Sequence, residues 1–153
     1  MKKLMFIIAL LAFMVNNGIA DDLLPKKSYP IEITEYVKKH FPSEKILRIE
    51  KDIDDNKAEY TVKLSNKMKL EFNSELKIVE IKARKYQDFP LSVFQPKILE
   101  LLKKDYPNCK IKSWELDRNS QEIEIKYNNK LIELEFNSSG NLMSTHTSSD
   151  TDD

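Results

Sequence analysis

Two histidines, one cysteine and 25 acidic residues are the groups in this 153-residue chain with the types for metal, nucleophilic or acid–base chemistry. Their spacing works against all three. His40 stands just before Phe41-Pro42 at the end of an expected helix, and His146 lies in a polar C-terminal stretch, so they form neither a metal pair nor a nucleophile–base arrangement. His40 reads instead as a helix-terminal cation. Cys109 follows "YPN" and reads as a half-buried small residue at a strand start, with no second cysteine to form an internal disulfide. "DIDDN" over 52–56 has the oxygen density of part of a calcium loop but lacks the downstream Gly and bidentate Glu, and a hairpin explains it more simply. Glu122, Glu124, Glu133 and Glu135 alternate along strands on a solvated face, whereas general-acid work needs a buried carboxyl. Gly18 and Gly140 are the only glycines, so there is no phosphate-cradling loop. No catalytic, cofactor-binding or metal-ligating residue is assigned, and the expectation is a protein that is not an enzyme.

The 25 basic residues balance the 25 acidic ones and interleave with them, without the one-sided basic surplus of a nucleic-acid binder. Lys2 and Lys3, the apolar run "LMFIIALLAFMV" and the small residues Gly18 and Ala20 form a signal peptide over 1–20. That run is shorter than the roughly 20 residues needed to span a bilayer, and no Cys follows it to carry a lipid. The expectation is a mature chain from Asp21 with no stable membrane span, periplasmic or alternatively secreted.

The elements that position these groups come in duplicate. "YVKKHFPSEKILRIEKD" from Tyr36 aligns with "LLKKDYPNCKIKSWELD" from Leu101 at an offset of 65, and "LEFNS" from Leu70 aligns with "LEFNS" from Leu134 at an offset of 64. The lost residue falls between "LSNK" and "YNNK", a turn that tolerates the change where packed strands would not. Each copy opens with a short helix. Ile33, Tyr36, Val37 and Phe41, and then Ile98, Leu101, Leu102 and Tyr106, recur at helical spacing, and Pro42 and Pro107 stop the two helices. Apolar and charged residues then alternate at period two, as in antiparallel strands covered on one side. The predicted strands are 45–51, 57–64, 67–73 and 77–84, then 110–116, 121–127, 130–137 and 141–146. Gly140 supplies a left-handed turn residue at no steric cost, whereas at the matching place in the first copy either the turn is looser or Leu76 is strained.

These residues resemble the exported, periplasmic PepSY-like proteins, also described as similar to the beta-lactamase inhibitory protein and common in Bacteroidetes. The resemblance rests on "KKHFP" and "KKDYP", "ILRIEKD" and "IKSWELD", the "LSNK" turn and "LEFNS" with its Gly or substitute, and covers Tyr29 to Met143. Leu76 departs from the Gly of the pattern, and Asn73 and Asn137 from its frequent Asp. The resemblance implies a non-catalytic module whose sheet binds a protein partner.

The fold class expected is α+β, two tandem repeats, each a short helix followed by a four-stranded antiparallel sheet. The chain divides into the signal peptide 1–20, a first repeat 21–85, a second repeat 86–146 and a disordered acidic tail 147–153. The expected function is binding of an unidentified protein in the envelope or outside the cell, with enzyme inhibition as one form of it; a small-ligand sensor or carrier binding between the repeats is the alternative. Candidate partner-binding residues are Lys63, Lys67 and Lys69 on a basic face, Glu122, Glu124, Glu133 and Glu135 on an acidic one, and Trp114, a residue type enriched at interface hot spots but equally suited to the core.

Overall fold

The computed structural model describes residues 22–54, 57–84 and 88–149. The signal peptide, the repeat boundary at 85/86, and Asp55 and Asn56 of "DIDDN" lie outside them. Strand β1 (Asp22–Leu23) and a turn at Lys26–Ser28 lead into helix α1 (Ile31–His40), then β2 (Ile46–Asp54), β3 (Lys57–Leu64), β4 (Lys69–Phe72) and β5 (Ile78–Lys82). A turn at Leu91–Val93 precedes helix α2 (Pro96–Asp105), then β6 (Lys110–Leu116), β7 (Ser120–Tyr127), β8 (Lys130–Asn137) and β9 (Leu142–Ser149).

The nine strands of the described residues form one antiparallel sheet in sequence order. The repeats are therefore two helix-plus-four-strand halves of a single sheet. β5 hydrogen-bonds to β6 across the join, with Ile81 opposite Trp114. One apolar row crosses every strand from β2 to β8: Ile49, Val62, Leu70, Ile81, Trp114, Ile123 and Leu134. The helices lay Ile33 and Val37, then Ile98 and Leu102, on this side, and everything joins one buried cluster. Such short helices are marginal alone, and it is this apolar face that holds them.

The duplication is kept down to dihedrals. Phe41 and Tyr106 end their helices with the same φ −132° and ψ 55°, and their N–H groups donate to Val37 C=O (2.8 Å) and Leu102 C=O (3.0 Å). Where the copies differ in length, the turns differ in kind. Asn128 and Asn129 both take positive φ (51° and 59°) in a two-residue hairpin loop, whereas the first copy uses Ser65, Asn66 and Lys67, with Lys67 at φ 71°. The second pair of turns keeps its geometry despite the change of residue: Leu76 has φ 60° and Gly140 φ 74°, and each N–H donates to the C=O of Asn73 or Asn137 at 2.9 Å. Leu76 thus holds a left-handed conformation that costs a branched side chain about 1–2 kcal/mol.

Two expectations need correction. β4 begins at Lys69, so Lys67 lies in the turn, off the sheet face. β9 runs to Ser149, pairing Thr147, Ser148 and Ser149 with Ile132, Leu131 and Lys130, so these three expected tail residues are strand, because Ser and Thr suit a strand whose partner is already in place; 150–153 lie outside the described residues. β1 has no counterpart in the sequence reading.

Candidate functional site

The face of the sheet turned away from the helices is polar, and the strand register arranges its charges in rows. One row reads Glu50, Thr61, Glu71, Glu80, Glu115, Glu122, Glu135 and Ser144, one residue from each strand β2 to β9. The next reads Arg48, Lys63, Lys69, Lys82, Ser113, Glu124, Glu133 and His146. Neighbours within a row stand about 4.8 Å apart, the spacing of paired strands.

On the first repeat the two rows neutralise each other. Arg48 Nε is 2.7 Å from Glu50, Lys69 Nζ is 2.6 Å from Glu71 and 3.2 Å from Glu80, and Lys82 Nζ is 3.4 Å from Glu80. Burial acts to raise the Glu80 carboxyl, but Lys69 and then Lys82 outweigh it and hold the group below its usual value. On Lys69, burial favours the neutral amine, while Glu71 and Glu80 together push its pKa above the ordinary lysine value. This half is a lattice of ion pairs, and of these four, three join residues two apart on one strand and one, Lys69 to Glu80, crosses strands.

On the second repeat both rows are acidic. Glu115 faces Glu122, Glu122 faces Glu135, and Glu124 faces Glu133. Lys112 Nζ approaches Glu124 at 3.1 Å, and Ser144 Oγ donates to Glu135 at 2.9 Å. The ion pair described on this half runs to Glu124, through Lys112. Partial burial, and then the charges of Glu133, Glu115, Glu135 and Glu124, push Glu122 up to about 7. Glu115 is raised as well, by partial burial and the Glu80 charge across the repeat junction.

A measurable consequence follows for stability. Because the Glu122 pKa is raised on folding, the native state holds a proton that the unfolded chain has released, so stability falls as pH rises from about 4.5 to about 7. Discounted for the exposure of this strand face, Glu122→Gln is expected to stabilise the fold by about 1 kcal/mol at pH 8 and by almost nothing at pH 5. Urea unfolding at the two pH values checks it, and an equal effect at both would remove the like-charge account.

The sequence candidates divide on this geometry. Lys63, Lys69, Glu122, Glu124, Glu133 and Glu135 share the polar face, and Lys67 sits in the β3–β4 turn. Trp114 points to the helix side, 5% exposed, where its Nε1 donates to Gln121 Oε1 at 3.1 Å. Sequence reasoning did not single out Arg48, Lys82, Glu115 or Glu122's neighbours across β5 and β6, since opposition across strands has no signature in local spacing. His40 also differs from expectation. It packs on the Tyr36 ring with centroids 4.5 Å apart and meets Ser92 Oγ at 2.8 Å through Nδ1, while burial and then Lys39 lower its pKa and favour the neutral ring over a cation. Cys109 is half-buried immediately before β6, with its thiol pKa raised by burial. Among the described residues no group of three or more His, Cys, Asp or Glu side chains is arranged to hold a metal ion, and no helix is long and apolar enough to cross a membrane.

Comparison with known structures places this fold. A DUF2874-family protein from Bacteroides vulgatus, described as a "putative periplasmic protein", is 24% identical, with a TM-score of 0.73 over 85% of this chain and 99% of its own. A second B. vulgatus protein, described as periplasmic and of unknown function, is 25% identical, with a TM-score of 0.72 over 82% of this chain and 98% of its own. A protein from Bacteroides thetaiotaomicron, described as a "putative calcium-regulated periplasmic protein", is 22% identical, with a TM-score of 0.72 over 82% and 95%. Comparison with curated proteins gives no match. The family model described as "Putative beta-lactamase-inhibitor-like, PepSY-like" matches residues 18–80 and 59–144, and so covers both repeats. The chain belongs to this PepSY-like, beta-lactamase-inhibitor-like family.

Proposed function

We propose that this chain is an exported, periplasmic, non-enzymatic module that binds a protein through the polar face of its sheet, with the acidic half of that face as the contact surface and inhibition of an enzyme as the finer form of the activity. The observation that carries the reading is the pair of acidic rows on β6, β7 and β8. Like charges directly opposite one another in a sheet are destabilising. The first repeat also sets Glu71 opposite Glu80 and Lys69 opposite Lys63 and Lys82, but there the two rows have opposite sign and ion pairs between them offset the repulsion, so the same fold has the means to offset it in the second. Retained like-charge rows on a face that no helix covers are understandable where a cationic partner neutralises them. The family description and the periplasmic relatives support the location and the kind of activity. A small ligand held between the repeats draws less support, since hydrogen-bonding of β5 to β6 leaves no cleft between two separate sheets.

The test is capture from periplasmic and secreted extracts on the immobilised chain from Asp21, beside two variants, Glu133→Lys/Glu135→Lys and Lys63→Glu/Lys69→Glu. The first is expected to melt higher than the wild type, because it relieves repulsion, and yet to lose the partner. Affinity for the purified partner should fall about tenfold per reversed charge, or about 1.4 kcal/mol each. Capture of the same proteins by wild type and acid-reversed chain alike would remove the acidic face as the site.

A further inference from the structure

Five of the six positions that β6, β7 and β8 give to the two rows are glutamate: Glu115, Glu122 and Glu135 in one, Glu124 and Glu133 in the next, with Ser113 as the sixth. Carboxylates set side by side do not ionise independently, and one of them keeps its proton to a higher pH than it would alone. Glu122 has a glutamate on either side in its own row and Glu124 two residues on along its strand. It is the group pushed up to about 7, by partial burial and then by Glu133, Glu115, Glu135 and Glu124.

Glu80 supplies the comparison within the same row. It stands between Glu71 of β4 and Glu115 of β6 as Glu122 stands between Glu115 and Glu135, and burial acts on it in the same direction. Its carboxyl is nevertheless held below its usual value, because Lys69 Nζ lies 3.2 Å away and Lys82 Nζ 3.4 Å away. Two ammonium groups at contact distance thus reverse, on Glu80, what the row does to Glu122. Around Glu122 the nearby groups are differently engaged. On β6, Lys112 pairs with Glu124 at 3.1 Å, Ser113 Oγ donates to the same carboxylate at 3.4 Å, and Asp117 acts on Glu115 from the end of the strand. Lys126 of β7 stands two residues past Glu124, opposite Lys110 and Leu131. On β9, Ser144 Oγ donates to Glu135 and His146 lies opposite Glu133.

We propose that partner binding at this face is proton-linked: a lysine or arginine of the partner takes beside Glu122 the place that Lys69 and Lys82 take beside Glu80, the proton held in the row leaves to solvent as that cation docks, and acidification restores it and releases the partner. This rests on the acidic half of the face being the contact surface. Because the row holds its proton only while the partner is away, affinity rises with pH from the ordinary glutamate range to about 7 and levels off above it.

Isothermal titration of octalysine into the chain from Asp21 at low ionic strength tests it, since the ammonium groups of the peptide stay charged throughout. Binding should be about tenfold weaker at pH 5.5 than at pH 7.5, and at pH 6 two buffers of different ionisation enthalpy should report release of about half a proton per peptide bound. Glu122→Gln should lose most of this pH dependence. His146→Gln, which removes the imidazole opposite Glu133, should keep it. Should Glu122→Gln fail to fold, the wild-type proton count decides. Equal wild-type affinity at both pH values, no proton release, or a pH dependence carried by His146 instead of Glu122 overturns the inference and leaves the acidic face standing as the contact surface. Octalysine bound equally by Glu133→Lys/Glu135→Lys, or not bound by the wild type at all, overturns both.

Discussion

Replacing Phe136 with alanine is expected to cost about 3–5 kcal/mol and to melt both repeats in a single transition. Phe136 and its counterpart Phe72 are the largest fully buried side chains, each at the end of the third strand of its repeat. Truncation leaves a cavity in a wall formed on one side by the sheet and on the other by a short helix, and neither can collapse far to fill it. The single transition follows from the continuous apolar row, since Ile81 and Trp114 pair across the junction and belong to the same cluster as Phe72 and Phe136. A half of the chain alone would be close to the size at which a core is insufficient without a disulfide. Calorimetry that resolved two transitions, with only the later one shifted by Phe136→Ala, would mean that the repeats fold independently. The charge rows would then lose their rigid frame at the junction.

Gly140→Ala is the second, expected to cost about 2–3 kcal/mol by urea unfolding. The left-handed φ of 74° strains any side chain, and a Cβ built there falls 2.6 Å from Gln95 Oε1. Gln95 stands just ahead of α2 and donates through Nε2 to Ser138 C=O at 3.1 Å, tying the β8–β9 turn to the start of the helix. Alanine must therefore both adopt the strained backbone and displace this tie. The first repeat tolerates Leu76 at the matching position because its side chain packs against the core, which offsets part of the strain. An effect of Gly140→Ala below about 1 kcal/mol would indicate that the turn rearranges freely.

Much of the architecture was legible from residues alone. Period-two alternation placed β3, β6 and β8 at their observed bounds and missed β7 by one residue; Pro42 and Pro107 located the helix ends. The one-residue length difference falls by sequence in the "LSNK"/"YNNK" turn, where the two copies do differ, whereas the choice between a looser first turn and a strained Leu76 needed the structure, which has Leu76 at positive φ. These features arise within a few residues of one another, where side-chain periodicity and allowed φ leave few choices. Even membership of the family was visible, because it rests on turn and core patterns repeated along the chain.

What only the tertiary structure decided depends on contacts between distant residues. Whether two sheets or one, whether Trp114 faces a partner or Gln121, and whether β1 exists at all turn on which strands become neighbours. The alternation of Glu122 and Glu124 marks a polar face but is silent on what stands opposite. The pairing of β5 with β6 brings Glu80 against Glu115, and β7 then sets Glu122 between Glu115 and Glu135, residues separated in sequence and adjacent only through the register. The local pattern determined that these carboxylates face water; the sheet determined that they face each other.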